Sequence, residues 1–322
     1  MRSSRPWVLV APTSALAPLA PLLAARARRQ PLHVIENGVE AVLANAAPCL
    51  PPDTEAVLVI GPRRGTPRRG LAGLFWRDRD GQRVPVGWLP EAGAALANYA
   101  AAAAKVLLRP STPGPLVILG QWEDRFLRVA LRTSRWFERH ESALPVFHWT
   151  ADRVSRTDML RGLGVGPGVA LYFGHGRPRG WAGYHGTRAS HFETPWDEAI
   201  GALLALCCEN ASRWRTGVSF AEDLALRGVV AGALAAVTKT RHEDNRLLGP
   251  ALCETLTQPG ETVSTLAELV AKTEVPAGFW ERSPYRFIGD PAAPLAGAAH
   301  APAKAAAIFA PAPDAVLPAW PD

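Results

Sequence analysis

Five short runs of unbroken apolar residues limit most strongly what this chain can become: Trp7-Val-Leu-Val-Ala11, Ala56-Val-Leu-Val-Ile-Gly61, Leu116-Val-Ile-Leu-Gly120, Gly168-Val-Ala-Leu-Tyr-Phe173 and Ile200-Gly-Ala-Leu-Leu-Ala-Leu206. A strand with one wet face alternates apolar and polar side chains, whereas a strand apolar at every position is covered on both faces. Helical stretches over Ala15–Arg29, Glu91–Leu108, Arg125–His140 and Arg153–Leu163 separate the runs, with further strands at Leu32–Glu36 and Val146–Trp149. Strands alternating with helices predict α/β layers around a mainly parallel sheet, not an all-β sandwich.

The N-terminus admits two readings. Met1–Arg5 followed by the apolar Trp7–Ala25 has the outline of a secretory signal, with a small-residue site near Ala27. Three prolines interrupt that supposed signal, and Leu32–Glu36 follows Trp7–Ala11 at βαβ distance. The second reading, a first strand and helix of the fold, is therefore preferred, and with it a cytoplasmic chain over a secreted one. No apolar run reaches the roughly eighteen residues of a membrane span.

The 322 residues are 48% hydrophobic and 20% charged, which excludes a disordered chain. The net charge is +6, and all but four of the 35 cationic residues are arginine. No aromatic–basic RNA signature or DNA-reading motif accompanies them, so no nucleic-acid partner is expected. Four cysteines, Cys49, Cys207, Cys208 and Cys253, are too few for a disulfide scaffold at this length. They also lack the spacing of a metal site, and Gly162–Gly168 precedes a strand where a dinucleotide fingerprint would follow one.

Arg109-Pro-Ser-Thr-Pro-Gly-Pro115 is the best linker and puts a boundary near residue 110. The expected organisation is an N-terminal α/β subdomain over 1–110, a second over 111–296, and an extended or disordered Ala/Pro-rich tail over 297–322. The arginine-rich 62–70 reads as a solvated loop.

Two of the apolar runs end in reactive side chains. Gly168–Phe173 leads into Gly174-His175-Gly176, and Ile200–Leu206 leads into Cys207-Cys208. Functional groups collect at the carboxyl ends of strands in open parallel sheets. A thiol of pKa about 8.5 is only a few per cent thiolate at neutral pH, and a nearby histidine can take its proton and later protonate a leaving amine. Glycines flanking His175 allow a substrate backbone to approach closely. Adjacent strand residues point to opposite faces, so at most one of the two thiols can face His175.

These motifs resemble the caspase-like cysteine peptidases, and most of all the gingipain-type branch. Tyr172-Phe-Gly-His-Gly176 with Gly180-Trp-Ala-Gly183 is similar to that family's histidine motif, and Cys208-Glu-Asn210 to its cysteine motif, 33 residues downstream. Ala236–Arg241 with Asp244-Asn245, Phe287-Ile-Gly-Asp-Pro291 and Pro85-Val-Gly-Trp-Leu-Pro90 resemble further family segments. In the last of these Trp88 stands where an arginine is usual. The resemblance spans about residues 7–294.

The resemblance implies a caspase-like fold of two α/β subdomains with mainly parallel sheets, both dyad residues lying in the second. It makes Cys208 the nucleophile, His175 the proton carrier, and the backbone N–H groups of Gly176 and Cys208 the oxyanion donors. It implies a protein or peptide substrate and no catalytic cofactor, although some members carry structural calcium. It also implies a pocket for a basic residue before the scissile bond, with Glu193, Asp197, Glu209 and Trp181 as candidates to line it. His185 and His191 are further candidates for a substrate cleft. The rival expectation is an inactive relative serving as an interaction module. The oligomeric state is not legible in the sequence.

Overall fold

The computed structural model describes residues 5–36, 50–62, 74–78, 80–110, 114–140, 144–193, 195–258 and 263–308. The loop expected over 62–70 lies outside them from residue 63 on, as do Cys49 and residues 309–322.

All five apolar runs are strands. In chain order the sheet strands are β1 (Trp7–Ala11), β2 (Leu32–Glu36), β3 (Ala56–Gly61), β4 (Phe75–Arg77), β5 (Arg83–Pro90), β6 (Leu116–Gly120), β7 (Val146–Thr150) and β8 (Val169–Phe173). A hairpin-like excursion follows, β9 (Gly176–Arg177), β10 (Gly180–Trp181) and β11 (Thr187–Arg188), and then β12 (Ile200–Leu206), β13 (Val230–Ala236) and β14 (Tyr285–Gly289). The main sheet runs β2-β1-β3-β5-β14-β13-β12-β8-β6-β7, with β4 pairing β5 at the side. Pairing along that path is parallel except between β13 and β14. The segments before and after residue 110 are therefore halves of one continuous sheet, joined where β5 meets β14 through Gly87↔Phe287 and Trp88↔Ile288.

The period of two in each strand divides the core between the two faces. Val117, Leu119, Tyr172, Leu203 and Ala205 pack with helices α1 (Thr13–Ala27), α2 (Ala94–Leu107) and α5 (Phe220–Leu226). Leu116, Ile118, Leu171, Phe173, Leu204 and Leu206 pack with α3 (Asp124–Arg139), α6 (His242–Thr257) and α7 (Leu266–Lys272). Each large side chain moved fully out of water contributes roughly 1.5–3 kcal/mol, which is why every position of these strands is apolar. Trp88, the residue in place of the usual arginine, is buried with Val57, Val59 and Trp76.

β1 lies between the edge strand β2 and β3 and is buried throughout, so Trp7–Ala11 is an interior strand of the sheet. The Gly-Asp-Pro segment fastens it. Asp290 forms a buried ion pair with Arg26 of α1 and accepts a 3.1 Å hydrogen bond from Trp7 Nε1.

The expectation of an extended tail from residue 297 needs correcting. Ala301–Ile308 is a helix, α8, with Ala301 and Ala305 buried, and it packs on α4 (Arg156–Leu163). Alanines four residues apart share one face, and their small side chains let two helices approach closely. No helix among the described residues is long and apolar enough to cross a membrane.

Candidate active site

The register of three neighbouring strands builds the site. β8 pairs β12 with Phe173 opposite Leu206, and β6 pairs β8 with Gly120 opposite Phe173. His175 and Cys208 therefore stand two residues beyond equivalent positions on adjacent strands, and the chain leaving β6 at Gln121 reaches the same sheet end. The carboxyl ends of parallel strands are where such folds place chemistry.

Gly176 shows how closely the two loops meet. A Cβ there would lie 2.2 Å from the Cys208 carbonyl oxygen, 2.7 Å from Cys207 Sγ and 2.9 Å from Asn210 Nδ2. Only glycine permits this approach. Asn210 then ties the loops together: it donates to the carbonyls of Arg177 and Gly180 and accepts from Trp181 Nε1 at 2.7 Å.

His175 is positioned by residues after β6. Its N–H donates to Gln121 Oε1 at 2.7 Å, and Gln121 Nε2 donates to Glu123 Oε1 at 2.9 Å. The imidazole Nε2 lies 3.3 Å from Glu123 Oε1 and 2.5 Å from Arg125 Nη2, and Arg125 also pairs with Glu123 at 3.0 Å. One ring nitrogen cannot accept from a guanidinium and donate to a carboxylate at once. The Arg125 contact suits an accepting Nε2 and the Glu123 contact a donating one. Phe126 meets the ring edge-on, centroids 5.1 Å apart.

The two thiols differ in environment. Cys207 is fully buried and donates to Asn210 Oδ1 at 2.9 Å; burial, with Cys208 beside it, pushes its thiol pKa well above the usual range. Burial raises Cys253 in the same direction. Cys208 is partly exposed; its Sγ receives the N–H of Thr240 at 3.4 Å and lies 3.8 Å from the Thr240 carbonyl oxygen. Asn245 supports Thr240 by donating to its Oγ1 at 3.1 Å, and donates also to the Leu206 carbonyl. The separation of the thiols was expected from strand alternation, but β12 ends at Leu206 and a turn separates them instead. Glu209, next in the chain, takes a left-handed conformation at φ 58°. Among the described residues the Cys208 N–H makes no hydrogen bond, while the N–H groups of Cys207 and Glu209 bond to Ala205 and Thr238.

Of the four residues named for a basic-residue pocket, Glu209 follows Cys208 directly, whereas Glu193 and Asp197 lie elsewhere. Glu193 and Asp197 line a groove of about 1240 Å³ with Arg156, Leu160, Trp196 and Lys304, formed against α4 and α8. Trp181 is 3% exposed, stacks on Tyr172 and lines a pocket of about 600 Å³ with Arg177, Arg188 and Trp214. His185 is exposed at φ 59°, and His191 Nδ1 accepts from the Arg188 N–H. No group of three or more His, Cys, Asp or Glu side chains among the described residues is placed to hold a metal ion.

Gln121, Glu123 and Arg125 were not named as site residues from the sequence, and Thr240 only within the segment Ala236–Arg241. The available signal was Gln121-Trp-Glu-Asp-Arg125 directly after a buried strand, the same placement that pointed to His175 and Cys208.

The family model described as peptidase family C25 matches residues 126–296, more than half of the chain, a span that includes His175 and Cys208. The chain belongs to peptidase family C25. It is accordingly a cysteine-type peptidase, whose substrates are peptides. The gingipain-type resemblance read from the motifs is the same family. Among solved structures, a protease matches with 13% identity and a TM-score of 0.65, covering 91% of this chain and 78% of that one. The crystal structure of the Arg-specific cysteine proteinase gingipain R matches with 13% identity and a TM-score of 0.64, over 90% of this chain and 78% of that one. The complex of Porphyromonas gingivalis RgpB pro- and mature domains matches at 12% identity and a TM-score of 0.64, over 90% and 79%. At such identities these structures establish the common caspase-like fold. No curated protein sequence matches the chain significantly.

Proposed function

We propose that this C25 peptidase hydrolyses internal peptide bonds with Cys208 as nucleophile and His175 as proton carrier. The observation that carries this reading is the strand register, which brings both residues to one sheet end with Gly176 pressed on the Cys208 carbonyl. The Cys208 thiolate attacks the scissile carbonyl carbon, and the oxyanion is met by the N–H groups of Cys208 and Gly176. His175 gives its proton to the leaving amine as the C–N bond breaks, leaving a thioester. Water then attacks that carbonyl, the C–S bond breaks, and the water proton passes through His175 to the departing thiolate. Glu123 steadies the imidazolium. The chemistry requires no cofactor.

The basic-residue preference carried by the resemblance is less well supported. The gingipain R match is an Arg-specific enzyme, but Glu193 and Asp197, two of the carboxylates named for that pocket, line a different groove here. Substitution tests the dyad: Cys208→Ala and His175→Ala abolish cleavage of a mixed peptide library in folded protein, while Cys207→Ala retains it. Equal loss in Cys207→Ala and Cys208→Ala, with both folded, would remove the assignment. Complete inactivity of the unaltered chain on every peptide would favour the interaction module.

A further inference from the structure

Helix α3, whose first turn holds Arg125 against His175, also presents Arg128 and Arg132. Spacings of three and four residues put all three guanidinium groups on one face. Across from them α6 contributes His242 and Arg246, and with Val129 these residues line a recess of about 240 Å³. All four arginines are exposed. Arg125 shares its charge with Glu123, whereas Arg128, Arg132 and Arg246 form no ion pair among the described residues. Like charges at this spacing repel and weaken a helix, so folding alone gives no reason for the stripe. Glu243 and Asp244, in the first turn of α6, are not part of the lining.

The recess adjoins the dyad. Phe126 packs edge-on against both His175 and His242, at centroid distances of 5.1 and 5.8 Å. On the Cys208 side a second pocket, about 410 Å³ beside Thr240, holds Asp244 against Lys239, Arg241 and Arg282. Cations thus predominate on both flanks, and a basic substrate side chain would meet repulsion at either.

We propose that the recess of Arg128, Arg132 and Arg246 is a substrate subsite for an acidic side chain, so that the peptidase selects Asp or Glu beside the scissile bond. The guanidinium fork matches a carboxylate in geometry as well as charge, which a lysine stripe would not. This inference rests on the His175–Cys208 reading, and the two can fail separately.

The test uses fluorescent decapeptides differing only in one residue, Glu, Gln or Arg, placed in turn at each position around the cleaved bond. Cleavage by the full chain is expected to favour Glu over Gln by about tenfold in kcat/KM at one position, mainly through KM, and to lose most of that preference at high salt. Arg128→Ala/Arg132→Ala should bring Glu and Gln to near parity, mainly by raising KM for the Glu peptide. Binding of uncleaved peptides to Cys208→Ala, read by anisotropy, should show the same preference and the same dependence on the two arginines. Preferred cleavage beside Arg, or a Glu preference that survives the double substitution, overturns the subsite and leaves the dyad standing. Arginine-dependent binding of the Glu peptide without any cleavage keeps the subsite and overturns the dyad. A recess that takes a single-stranded oligonucleotide and ignores the Glu peptide overturns the proposal as well.

Discussion

Gly176→Ala places a methyl group where the structure leaves no room. The added Cβ would stand 2.2 Å from the Cys208 carbonyl oxygen, against an ordinary contact that begins near 3.4 Å. Its other neighbours, Cys207 Sγ at 2.7 Å and Asn210 Nδ2 at 2.9 Å, are buried and hydrogen-bonded. Relief therefore requires the histidine loop and the cysteine loop to separate by about 1 Å. A misplacement of that size costs about a hundredfold in rate, and overpacking of this kind costs about 1–3 kcal/mol of stability. The expected variant is folded, modestly destabilised, and lower in kcat by about two orders of magnitude. Cleavage kinetics on a pooled peptide substrate and urea unfolding measure the two effects together. Wild-type kcat in Gly176→Ala would refute the claim that the two loops must meet at this distance for catalysis.

Three further outcomes follow from the same geometry. Brief iodoacetamide treatment at neutral pH should modify Cys208 and spare Cys207 and Cys253, whose thiols burial holds protonated; mass mapping that finds Cys207 modified first would contradict this. Glu123→Gln keeps the shape beside His175 but removes the charge, and should lower kcat by about tenfold with little change in KM; an unchanged kcat would leave Glu123 without a catalytic part. Arg26→Ala strands the buried Asp290 carboxylate and should destabilise the fold by about 3–5 kcal/mol in urea unfolding, and a loss below about 1 kcal/mol would show that the pair does not fasten β1 and α1.

The strands and the α/β layering were legible because burial on both faces leaves no other pattern than an unbroken apolar run. The placement of His175 and Cys208 at one sheet end was legible because each stands two residues after such a run. Gln121, Glu123 and Arg125 were not, because they meet His175 through the pairing of β6 with β8, a neighbour relation that crossovers set and sequence separation conceals. Glu193 and Asp197 failed for the opposite reason. They lie close to His175 along the chain, but the β9–β11 excursion carries them to the groove against α4 and α8. Helix α8 was missed because an Ala/Pro composition looks unable to bury anything, whereas Ala301 and Ala305 bury their small faces where larger residues would hold two helices apart.

The most direct test of the central claim is to trap the acyl-enzyme. An activated peptide ester mixed with the full chain, quenched in acid within the first turnover and digested for mass spectrometry, should yield the acyl group on Cys208. The His175→Ala variant should deacylate more slowly and hold the adduct longer. An adduct on Cys207 or on any other residue, or turnover with no adduct at all, would contradict the account.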